Sequence, residues 1–251
     1  MTTAARAWPD PVEILNAEGH SSVVLLCEHA SNYIPPEYAG LGVSAADLQR
    51  HIAWDIGAAE VTRHLSRLLG AAAFLGTYSR LLIDLNRRPG ARSSIVPHSE
   101  ATEIPGNVGL SAAERARREQ LIFRPHHAAI EAHLDARARA GRETFIVAIH
   151  SFTPVFLRNR RQWHVGVLFE KGRSLAEATM ARLRATNPRL NIGANVPYSV
   201  SIGDDYGLLV HGDNIGNPAM LIEIRQDLIA TPEATASWAY RLAAIFTEVC
   251  A

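Results

Sequence analysis

Two apolar runs in this chain end on histidine. Val23–Cys27, VVLLC, leads directly into Glu28 and His29, and Thr144–Ser151, TFIVAIHS, carries His150 near its end. Short β-branched and leucine-rich runs of this kind read as strands buried on both faces. In open α/β sheets the ligand crevice lies at the carboxyl ends of the strands. One histidine there reads best as a satisfied, partly buried imidazole. Two in the same position on two core strands point instead to metal ligation, with zinc as the natural ion. A third protein ligand is needed, and Asp55 in HIAWDIG and Glu28 are the candidates. Asp55 has a competing role as the cap of a helix starting at Ile56. Glu28 is placed to point away from His29 across the strand, so the reading leans to Asp55.

A second carboxylate needing explanation is Glu223, which interrupts the strand-like run Ala219–Arg225, AMLIEIR. Arg225, two residues on, offers a structural ion pair on the same face. Buried pairs of that kind stabilise little, whereas a carboxylate beside a metal-activated water is a standard general base. The third group is Arg80, Asn86 and Arg87 in YSRLLIDLNRR. Read as an extended segment, it places Arg80, Leu82, Asp84 and Asn86 on one face. Guanidinium groups there suit bidentate grip of a substrate carboxylate, and mutual neutralisation of Arg80 and Asp84 is an equally good account. Arg88 and Arg92 read as solvated. His126, His127 and His133 read as helical surface, and nothing defines a role for His211. There is no HExxH, GxSxG, Walker loop or helix-preceding GxGxxG.

These residues need a scaffold of alternating strands and helices. Met1–His20, with Pro9 and Pro11, reads as a loose lead-in. Ser44 and Asp47 resemble a capping box, and a helix after Asp55 sets Val61, Leu65, Leu68 and Leu69 on one face. A short strand at Ala73–Leu75 precedes the arginine block. Pro89–Gly109 is long and irregular, a candidate lid. A helix capped by Ser111 is divided at Pro125 and ended by Gly141. Strands at Phe145–Ile149, His164–Phe169 and Ala219–Arg225 follow. A helix capped by Ser174 lies between the last two, and a final one opens at Thr231–Pro232–Glu233. The pattern is an α/β fold with a mixed, mostly parallel sheet flanked by helices, built as one domain over residues 1–251.

The 251 residues carry 25 basic and 25 acidic side chains. That balance argues against nucleic acid or an anionic membrane as partner and leaves a small molecule. Cys27 reads as an inert buried thiol, and with only Cys250 beside it no disulfide framework exists. A cytoplasmic setting is expected, since the amino terminus has no signal-like apolar core.

With these stretches assembled, the chain resembles the N-formylglutamate amidohydrolase family. CEHASNYIP, HIAWDIGA, YSRLLIDLNR, AIHS, DDYG and LIEIRQDLI carry the likeness, in the family's order from Val23 to Ile229. The CEHASN motif is that of a subgroup of predicted amidohydrolases. The resemblance implies a fold like the zinc-dependent exopeptidases and metal-assisted hydrolysis of an amide. It implies zinc on His29 and His150, Glu223 as general base, and substrate contacts from Arg80, Asn86 and Arg87. The expected activity is cleavage of an N-formyl or N-acyl acidic amino acid. A carboxypeptidase, another deacylase, or a metal-free protein that captures small carboxylates are the alternatives.

Overall fold

The structure, a computed structural model, describes residues 8–250. Strands form where the sequence offers short apolar runs: Val12–Leu15 (β1), Val23–Cys27 (β2), Ala72–Gly76 (β3), Phe145–Phe152 (β4), Val165–Leu168 (β5), Ile192–Ala194 (β6) and Ala219–Arg225 (β7). They join in one sheet of order β1-β3-β2-β4-β7-β5-β6. The pairs β3–β2, β2–β4, β4–β7 and β5–β6 are parallel, and β1–β3 and β7–β5 are antiparallel. The mixed, mostly parallel sheet is therefore as expected.

Helices cover both faces, which is why β2, β3 and β5 are buried along their whole length. On one face lie Ala58–Leu69 (α1), Arg173–Thr186 (α4) and Pro232–Val249 (α5). Their Leu65, Leu183, Trp238 and Phe246 pack with Leu25, Val147 and Ile222. On the other, Ile130 and Leu134 of a helix spanning Arg124–Arg139 pack with Leu26, Phe74 and Ala148. That helix is α3. Before it come Ala112–Arg118 (α2), capped by Ser111 accepting from the Glu114 N–H, and a widened turn at Glu119–Phe123. Pro125 occupies the first turn of α3, and the backbone stays helical through Phe123 and Arg124, so the widened turn before it accommodates the missing N–H without dividing the helical region.

Several expectations give way. Part of the lead-in, residues 1–7, lies outside the described residues, and the rest is not loose: Val12–Leu15 is an edge strand antiparallel to β3. Pro9 and Pro11 precede it and cost no ladder bond. Ser174 does not cap α4, which starts one residue earlier after Gly172. A side chain at Gly172 would meet the Ala219 carbonyl oxygen at 2.0 Å, so glycine lets the chain approach β7 closely.

The arginine block is not extended either. Residues 79–87 run as successive turns, with Leu81, Leu82, Ile83 and Leu85 all buried in a third apolar cluster with Ile95, Ile104, Ile122 and Phe123. Four apolar residues that must all face inward cannot share a two-residue period. Buried Arg118 holds these turns: it donates to the Leu82 carbonyl at 3.0 Å, Asn107 Oδ1 at 2.7 Å and Glu114 Oε1 at 2.9 Å. Asn107 in turn donates to the Leu81 and Val96 carbonyls at 2.8 and 2.9 Å. The 89–109 segment is thus a strap fastened under the block, not a lid. Arg118→Leu should cost about 3 kcal/mol in urea unfolding, because it strands buried acceptors.

Candidate active site

Neighbouring strands β2, β4 and β7 bring the chemistry together. His29 lies two residues past the end of β2, and His150 and Glu223 sit opposite each other in the parallel β4–β7 register. Asp55 arrives on the segment ahead of α1, its N–H donating to the His29 carbonyl at 2.9 Å. It does not cap the helix; Gly57 holds that position, with φ +83° and no side-chain bond.

The Asp55 carboxylate is the hub. Its Oδ2 is 2.7 Å from His150 Nδ1 and 3.4 Å from His29 Nδ1, and accepts from the Ser151 N–H at 3.3 Å. The far nitrogens of both rings meet other buried carboxylates: His29 Nε2 reaches Asp84 Oδ1 at 2.7 Å, and His150 Nε2 reaches Glu28 Oε2 at 3.0 Å. Glu28 therefore backs a histidine from behind and does not join the trio. One ligand atom from each of His29, Asp55 and His150 falls within 4.8 Å of the others. Two imidazoles and a carboxylate are a donor set of catalytic zinc sites. Carboxylates on the far ring nitrogens are the usual outer support of such ligands. The residues present fit the ion.

The charges are strongly displaced. Burial alone would raise the Asp55 carboxyl, but His29 and His150 outweigh it and hold it far below the ordinary range. Burial is likewise outweighed at Glu28, held at about 2 by His150, and at Asp84, lowered by Arg80 and His29. His150 goes the other way: burial opposes its charge, yet Asp55 and Glu28 raise it well above normal. A cation seated here displaces that proton.

Glu223 differs from Asp55, Glu28 and Asp84, whose carboxylates bond to the histidine rings, in having no side-chain hydrogen bond among the described residues. Its Oε2 is buried without a hydrogen bond, and burial pushes the carboxyl up to about 7. The alternative pairing with Arg225 does not form, and that guanidinium is engaged by Asp227 at 2.7 Å.

Arg80, Asn86 and Arg87 line the same cavity of about 480 Å³ as His29, Asp55, His150 and Glu223. Arg80 meets Asp84 at 2.7 Å and Asp55 at 3.4 Å, so the neutralising pair does form, within the cavity wall. Arg87 pairs with Asp205. Asn86 accepts from the Gly207 N–H at 2.9 Å, tying the 205–207 segment down.

His126 and His127 are buried, contrary to their reading as helical surface. His127 shares the inward i, i+3, i+7 face with Ile130 and Leu134, a spacing visible in the sequence. It donates from Nε2 to the Leu85 carbonyl at 2.9 Å and accepts at Nδ1 from His211 at 2.7 Å, which assigns His211 a supporting place. The outer roles of Glu28 and Asp84 had no sequence signal beyond adjacency to the motifs.

A family model described as N-formylglutamate amidohydrolase matches residues 21–230. The chain belongs to the N-formylglutamate amidohydrolase family. Among solved structures, a gene product from Agrobacterium tumefaciens is 36% identical at a TM-score of 0.92, covering 96% of this chain and 95% of that one. An N-formylglutamate amidohydrolase from Ralstonia eutropha JMP134 shares the fold at 21% identity and a TM-score of 0.65, covering 94% and 95%. No protein of curated function matches the sequence significantly. The family is one of amide hydrolases, and among the described residues no helix is long and apolar enough to cross a membrane.

Glu223 also affects stability. Its folded value of about 7 lies above the ordinary 4.5, so folding is unpenalised below about pH 4.5 and loses stability as pH rises through 7. Glu223→Gln should therefore stabilise the metal-free protein by about 3 kcal/mol at pH 8 and by almost nothing at pH 4.5, read from urea midpoints.

Proposed function

We propose that this chain is a zinc-dependent hydrolase that removes the acyl group, most simply formyl, from an N-acylated acidic amino acid. The carrying observation is the paired arrangement of the two histidines, Nδ1 of each turned to Asp55 and Nε2 of each held by Asp84 or Glu28. His29, His150 and Asp55 would hold zinc, which supplies Lewis acidity to the scissile carbonyl and makes water a better nucleophile.

The remaining steps belong to the chain's own side chains. Glu28 and Asp84 fix the two rings so that the same nitrogen of each faces inward. Glu223, unpaired and facing the cavity, accepts a proton from the attacking water and returns it to the leaving nitrogen as the C–N bond breaks. Its products are a free carboxylate and an amino acid. Arg80 and Arg87 hold the substrate's carboxylate, Arg80 from beside the metal ligands. Asn86 fixes the loop that carries the partner of Arg87. The partner is a small anion, and the setting we propose is the cytoplasm of the cell.

Glu223 works as a base only when ionised. The logarithm of kcat/KM should fall with unit slope as pH drops below about 7, and Glu223→Gln should lower kcat at least about a hundredfold while zinc binding persists. Release assays over N-formyl, N-acetyl and dipeptide derivatives of Glu, Asp, Gln and Leu decide the substrate. Preference for N-formyl-Glu bears the proposal out. Turnover of dipeptides alone would make the enzyme a peptidase, and chelator-indifferent behaviour without bound zinc would remove the metal from the mechanism.

A further inference from the structure

Beside the main cavity lies a second chamber of about 230 Å³. Four residues line both spaces: His51, Arg80, Arg87 and Tyr198. The wall is held rigid from outside. Arg161 donates to the Tyr198 hydroxyl at 2.8 Å and stacks at 4.6 Å from its ring centroid and 4.7 Å from that of Phe156.

Several nitrogens on this wall make no hydrogen bond among the described residues. Arg80 uses Nη1 and Nη2 on Asp55 and Asp84, leaving Nε. Arg87 uses Nη1 on Asp205 and the Asn86 carbonyl, leaving Nη2, with Nε 3.7 Å from Asp204. His51 Nε2 is buried and unpartnered. Glu100 Oε2 is 3.3 Å away but off the line of a hydrogen bond, and that oxygen already accepts from Arg50 at 2.7 Å. His51 Nε2 alone of these is buried without a partner, and a buried unsatisfied group of that kind is costly unless something fills it. The acid in the second chamber, Asp84, is already engaged by Arg80 and His29. The lining thus carries two arginines with free N–H groups and one acid whose oxygens are taken, with His98 and Ser99 also on it.

We propose that the second chamber seats the distal carboxylate of the substrate and that His51 is the residue that selects for it. The inference rests on the hydrolase reading above and deepens it. The acyl amide lies at Glu223 and the histidines, the near carboxylate lies on Arg80, and the side-chain carboxylate passes Tyr198 to Arg87 Nη2 and His51. An acidic side chain of glutamate type is favoured over an apolar one because only a carboxylate accepts from both donors at once.

The test measures binding apart from catalysis. Glutarate and butyrate are titrated calorimetrically into zinc-loaded protein, since they share one carboxylate and differ in the second. Wild type should prefer glutarate by about tenfold or more, the scale of one charge-assisted contact. That preference should collapse towards unity in His51→Leu and in Ser99→Phe, which fills the chamber, and recover in His51→Gln, which keeps an N–H donor. Wild type that fails to prefer glutarate, or a preference that survives both substitutions, overturns the assignment. If glutarate preference depends on His51 but no N-acyl amino acid is hydrolysed, the selection site stands and the reaction assigned above falls. If N-formyl-Glu is hydrolysed while the preference ignores His51, the reverse holds.

Discussion

A carboxylate excluded from water must be surrounded by groups that favour its charge, and Asp55 satisfies that requirement with two histidines, an arginine and a backbone amide. Much of the carboxyl-end architecture follows from it. The histidines need orientation, so Glu28 and Asp84 are buried behind them. Those acids need closure in turn: Arg80 covers Asp84, and Gly207 lies so close to Glu28 that a Cβ there would run into Oε1. Asn86 then holds Gly207 in place through its N–H. Each layer makes the burial of the previous one tolerable.

Within this network Glu223 stands apart, and that separation supports the role of base proposed for it. Asp55, Glu28 and Asp84 are held down by the histidines and Arg80, while Glu223, with no hydrogen bond on its buried Oε2, is raised by burial. Two sets of carboxylates with opposed environments are how one site keeps ligands ionised and a base poised near neutrality. Arg225 is engaged by Asp227, which leaves Glu223 without the pairing that would lower its carboxyl.

The core strands and the strand-end chemistry were legible because both faces of the sheet are covered, so β2, β4 and β7 are written as apolar runs whose polar exceptions stand out. His29, His150 and Glu223 were visible for that reason, and Asp55 through its place beside a helix start. What sequence could not show was direction. Whether Glu28 or Asp55 faces the shared side of the histidines depends on how the chain leaves β2 and approaches α1. The 79–87 block misread as extended because alternating polar residues imitate a strand, whereas its order comes from distant Arg118 and Asn107. The inward histidines of α3 were hidden by a surface-like composition, and the edge strands β1 and β6 by their shortness.

Nδ1 of both His29 and His150 and a carboxylate oxygen of Asp55 form the proposed metal centre. Zinc-edge anomalous diffraction on crystals of protein prepared without chelator tests it most directly. The account predicts one zinc per chain, bonded to those two Nδ1 atoms at about 2.0–2.1 Å and to Asp55, with Glu28 and Asp84 remaining on the Nε2 atoms. A zinc bound instead through Nε2, or carried by Glu28 or Asp84 with Asp55 left outside its coordination, would contradict it.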